Sequence, residues 1–112
     1  MKLFRKREIN PYSVSDKAVF RNVDRTLTLY VRADAAALMV NLKKAQNYIA
    51  ALTDESTDEE KRNGARMMAA ALFGNEQAER LLEFYPEPLT VLVACTAYFV
   101  TLAPKITKAQ KK

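Results

Sequence analysis

Hydrophobic positions along the chain alternate at first and then recur with the period of a helix. In Thr26-Leu27-Thr28-Leu29-Tyr30-Val31, the residues Leu27, Leu29 and Val31 fall on one side of an extended chain. The segment is rich in β-branched and aromatic residues, which suit a pleated, half-buried surface. It is the strand candidate of the sequence. Ala18-Val19-Phe20 is its candidate partner, with Arg21-Asn22-Val23-Asp24-Arg25 as the turn. A lone hairpin is marginal in water, so this one must pack on helices or on another subunit.

Beyond Val31 the period becomes helical. Asp34 is a suitable N-cap, and Leu38, Leu42, Ala45, Ile49 and Leu52 form one apolar stripe on a helix running to about Leu52. The acidic stretch Thr53–Glu60 then reads as a loop and a helix start. Ser56 with Glu59, or Thr57 with Glu60, has capping-box spacing, and the acids sit where the helix dipole favours them. The stretch lacks the alternating ligands and central glycine of an EF-hand, so no metal is expected there. A second helix is predicted from about Asp58 to Phe73, with Ala65, Met68, Ala69 and Leu72 inward. Gly64 inside it costs about 1 kcal/mol against alanine, which suggests close approach of another backbone.

The stretch Leu72–Pro88 sets three helix boundaries in succession. Gly74 ends one helix, Asn75 caps the next, and Ala78, Leu81, Leu82 and Tyr85 give a third apolar stripe over 76–85. Pro86 stops that helix, and Pro88 fits the first turn of a fourth. Leu89–Ala103 is apolar nearly all round, which predicts a helix central in the core or shared between subunits. Pro104 is expected to kink or end it. The run falls short of the roughly 20 apolar residues that span a bilayer, so a buried or interface helix is expected and no membrane partner.

The expected architecture is therefore mainly α: a small bundle of about four helices with a candidate N-terminal strand or hairpin. Residues 1–16 read as an N-terminal arm, 17–104 as a single helical domain and 105–112 as a basic C-terminal tail. Two glycines and four prolines are too few for an all-β chain of 112 residues.

Charge sharpens this division. Of 18 basic residues, Lys2, Arg5, Lys6 and Arg7 lie at one end and Lys105, Lys108, Lys111 and Lys112 at the other. The remaining ten basic residues face 13 acidic ones, so the body between the two ends is −3. Basic ends of this kind suit nucleic acid or an acidic protein surface.

Candidate catalytic chemistry is sparse. The sequence contains no histidine, one cysteine (Cys95, in an apolar run) and no glycine-rich phosphate loop. A Cys-His nucleophile pair and an internal disulfide are excluded, and no metal or cofactor is expected. Glu79 and Glu83 have the spacing of paired carboxylates but read as a solvated helix face. The protein is expected to be cytoplasmic and not an enzyme.

The segment Ala71–Tyr85, with Phe73-Gly74 and Leu81-Leu82, followed by an apolar helix and the lysine-bearing end Ile106–Lys112, resembles the small tail assembly chaperones of siphophages and prophages. The resemblance covers about the last 45 residues and is a loose pattern. It implies a non-enzymatic protein that binds the tape-measure protein, and the tail-tube subunit, during tail building. Met67, Met68, Leu92, Phe99 and Val100 are the candidate protein-binding surface, and a homo-oligomer is expected. The alternative is a small nucleic-acid-associated protein that contacts phosphates through Arg5, Lys6, Arg7, Lys108, Lys111 and Lys112.

Overall fold

The structure, a computed structural model, describes residues 12–110. The order is β1 (Ser13–Asn22), β2 (Arg25–Asp34), α1 (Ala35–Ala50), α2 (Asp58–Phe73), α3 (Asn75–Phe84) and α4 (Pro88–Gln110). The protein is mainly α, with four helices and an N-terminal antiparallel hairpin.

The hairpin is longer than the alternation at 26–31 suggests. Ten residues pair on each side, from Ser13↔Asp34 to Asn22↔Arg25. Val14, Ala18 and Phe20 of β1 and Leu29 and Val31 of β2 face inward and are buried. Residues 13–16 therefore belong to the sheet and not to an arm, while 1–11 lie outside the described residues. The connection has only Val23 and Asp24 between the strands, and Val23 takes a positive φ of 59°. That conformation is unfavourable for a β-branched residue, and the side chain is almost fully exposed.

Asp34 ends β2 and caps α1, accepting from the Ala36 and Ala37 amides at 3.1 and 3.3 Å. The capping box on α2 is the Thr57–Glu60 one: each side chain bonds the other's backbone N–H. Ser56 instead accepts from the Thr53 amide and closes the loop. Gly64 meets side chains rather than a backbone. A Cβ there would come within 3.2 Å of Ile49 Cγ1 and 3.3 Å of Leu52 Cδ1.

Gly74 has φ +87° and serves both as the last cap of α2 and the first of α3. Asn75 is thus the first residue of α3 and not its cap, because the glycine alone turns the chain. Ala78, Leu81, Leu82 and Tyr85 are buried as the spacing predicts, and Phe84 joins them.

α2 is the central helix, packed against α1, α3, α4 and β2. Phe20, Phe73, Tyr85 and Tyr98 meet edge-on or tilted between the hairpin and helices, at centroid distances of 5.5–6.3 Å. The tip of the hairpin is tied to the end of α3. The Tyr85 hydroxyl donates to the Arg21 carbonyl, Asn22 Nδ2 donates to the Phe84 carbonyl at 2.8 Å, and the Arg25 guanidinium lies 5.0 Å from the Phe84 ring centroid.

α4 settles two points that the sequence leaves open. It continues through Pro104 to Gln110, so no boundary falls at 104 and residues 105–110 are not a separate tail. Ile106 and Ala109 are buried, and that packing outweighs the hydrogen bond lost at proline. Nor is α4 central. Val91, Cys95, Leu102, Ile106 and Ala109 make one buried face, and the opposite side is open.

Candidate protein-binding surface

The open side of α4 is built by the same periodicity that builds its buried side. Inward positions recur at 91, 95, 98, 102, 106 and 109, which leaves 89, 93, 96, 97, 100 and 107 to the other face. Leu89 is 70% exposed, Val93 61% and Val100 65%. Scattered exposed apolar residues are ordinary. Three large ones in a row along a single helix face, with Leu92 and Ala97 beside them and Ala103 beyond, are a patch of the kind that marks interaction surfaces. Shallow hollows run along it, one lined by Leu92, Val93, Thr96 and Ala97, another by Val100, Ala103, Pro104, Thr107 and Lys108.

The helix presenting this face is fixed to the hairpin by a polar clamp. The Tyr98 hydroxyl donates to Asp16 Oδ2 at 2.6 Å, and Lys105 Nζ donates to Oδ1 at 2.5 Å. Asp16 lies on the inward side of β1, directly across from Val31. The Lys105 hydrogen bond, with that from Tyr98, holds the Asp16 carboxyl below the usual carboxylate range. Burial, with the Asp16 charge, pushes the Tyr98 phenol up. The clamp orients α4 and has no evident reactive partner.

The five residues first considered as one surface are divided by the fold. Met68 is core. Met67 is half-buried and faces α1, in a hollow with Asn41, Lys44 and Ala70. Phe99 is half-buried against the core. Leu92 is also half-buried, at the edge of the open face of α4, and Val100 lies exposed on it. Leu89 and Val93 were missed, although their spacing from Val100 is helical. An apolar run read as uniform hides which of its sides is covered.

Lys108 lies exposed near the end of α4. Arg5, Lys6, Arg7, Lys111 and Lys112 lie outside the described residues. Glu79 is engaged by Arg66 of α2 at 2.7 Å, which holds its carboxyl below the usual range. Glu83 is exposed on the same helix. Cys95 is fully buried, and burial pushes its thiol up to about 12. Among the described residues no cluster of three or more cysteine, aspartate or glutamate side chains could hold a metal.

Because α4 does not stop at Pro104, it runs for 23 residues and holds an 18-residue stretch of mean hydropathy 1.7, long and apolar enough to cross a membrane. A single such helix is weak evidence for a span, and this one has a buried face matched to the body.

Comparison of the chain with protein-family models, curated proteins and solved structures returns no match.

Proposed function

We propose that this protein is a non-enzymatic, cytoplasmic assembly factor of the phage tail chaperone type. It holds an apolar helical segment of a tape-measure or tail-tube protein on the outer face of α4. The observation that carries the reading is the row Leu89, Val93 and Val100, exposed on a helix whose other side is anchored in the core. An amphipathic client helix laid along that row covers apolar surface that water otherwise meets. The loose resemblance of Ala71–Tyr85 and the C-terminal helix to tail assembly chaperones supports the choice of client. The burial of Val91, Cys95, Leu102 and Ile106, with the Asp16 clamp, supports a surface helix over a membrane span.

The test is co-expression of the full chain with tape-measure and tail-tube fragments, followed by affinity capture. Co-purification with the wild-type chain, lost on Val93→Asp or Val100→Asp, is the expected result. Failure of every fragment to co-purify, or capture unaffected by both substitutions, sinks the reading.

A further inference from the structure

The N-terminal end of the α4 face differs from the rest of it. The chain leaves α1 at Ala50 and enters α2 at Asp58, bringing Ile49 and Leu52 beside Leu89 and Leu92. These four apolar side chains line a groove of about 720 Å³ whose polar lining includes Asp54, Asp58, Lys61 and Glu87. Gly64 lies behind two of these apolar side chains. With no Cβ at that position, Ile49 and Leu52 can lie down against α2.

The rim carries more acidic than basic groups. Asp54, Asp58 and Glu87 are exposed, and the ion pairs among the described residues, Arg66–Glu79 and Lys105–Asp16, involve none of them. The adjoining stretch Thr53–Glu60 holds five carboxylates and no basic residue. Against this stand Lys61 on the rim and, next to it, Arg62, whose guanidinium donates to the Pro86 carbonyl at 3.4 Å. An apolar floor beside unpaired carboxylates concentrates a negative potential over the slot. Leu89 stands at its mouth, 70% exposed.

We propose that this groove takes a basic amphipathic segment of the partner: one or two leucine-sized side chains in the slot, flanked by lysine or arginine over Asp54, Asp58 and Glu87. The proposal rests on the reading of α4 as a partner-binding face and names the chemistry that its N-terminal end selects. Apolar contact supplies affinity and the carboxylates supply discrimination, since a segment with acidic flanks meets like charge on the rim.

The test uses the full chain and two labelled helical peptides, one of leucine and lysine and its leucine–glutamate counterpart, followed by anisotropy at two salt concentrations. The leucine–lysine peptide binds and weakens with salt, and the leucine–glutamate peptide does not bind. Asp54→Asn combined with Glu87→Gln weakens the lysine peptide about tenfold and flattens its salt dependence. Leu89→Ser weakens it with the salt dependence kept. All three positions are exposed, so circular dichroism should show the fold unchanged. Equal binding of the two peptides, or a double variant that binds like the wild type, overturns the proposal. A peptide of residues 1–11 that displaces the probe also overturns it, by making the chain's own N-terminal segment the occupant. The two readings separate cleanly. A wild-type chain that binds the lysine peptide but captures no tail fragment removes the chaperone assignment alone. Capture of a fragment that survives Leu89→Ser and the double variant removes the groove alone.

Discussion

The side-chain amide of Gln77 pairs with the backbone of Tyr30 as a neighbouring strand would. Its Oε1 accepts from the Tyr30 N–H at 2.9 Å and its Nε2 donates to the Tyr30 carbonyl at 2.8 Å. The same Nε2 donates to the Phe73 carbonyl at 2.8 Å, so one residue of α3 joins the edge of β2 to the end of α2. A free strand edge is a template for unwanted pairing, and here a glutamine blocks part of it. Gln77→Ala should cost about 1–2 kcal/mol, from three modest hydrogen bonds lost at a partly wet site. The check is the urea midpoint, with faster exchange of the Tyr30 amide as the local signature.

Asp16 makes stability depend on pH in a predictable direction. Its carboxyl titrates below the ordinary aspartate value in the folded chain, chiefly because of Lys105 and Tyr98. The unfolded chain then binds a proton more readily than the folded one. The contribution is present above the ordinary carboxylate pKa and is lost as pH falls through the lower folded value. Asp16→Asn should therefore show a shallower loss of stability below about pH 4 than the wild type. At neutral pH Tyr98→Phe should cost about 1–2 kcal/mol, and Lys105→Met less because its ammonium is half exposed. Equal acid sensitivity of wild type and Asp16→Asn would contradict this.

The hairpin turn contains a residue that is wrong for its backbone. Val23 holds φ 59° and makes no packing contact to justify it, being 96% exposed. Val23→Gly should raise stability by about 1 kcal/mol, the relief of strain exceeding the added entropy of the unfolded chain. Val23→Asn should give a smaller gain. Thermal melts of the three proteins decide it.

Cys95 should report on global unfolding. Buried, with its thiol raised to about 12, it is protonated and shielded at neutral pH. Alkylation should be slow in buffer and rise along the unfolding transition. Rapid modification of the folded chain would mean that α4 detaches from the body on its own.

Much of this architecture is legible in the residues, and the lapses share a cause. Asp34, the Thr57–Glu60 box, Gly74 and Pro88 act through local geometry, so their positions in sequence suffice to place helix ends. β1 is less visible. Ser13–Lys17 has few residues of high strand propensity, and its pairing with β2 is a property of two segments together. Pro104 is the reverse case: a local signal to stop is overruled by Ile106 and Ala109 packing a turn further on. The candidate surface was the least legible part. Met68 and Val100 are both apolar and both helical, and the arrangement of the other elements alone decides that one is core and the other open.

Pro104 has one more consequence, for whatever settles on α4. Lacking an N–H, it returns no hydrogen bond to the Val100 carbonyl, and Val100 lies on the open face. The Val100 carbonyl thus lacks its usual helical donor, on a side of the helix that water reaches. A partner hydroxyl or amide that met this oxygen would do so at one offset along the helix only. On the partner-binding reading proposed above, the proline would be the one place along α4 where backbone, and not side chain, fixes the register of what docks.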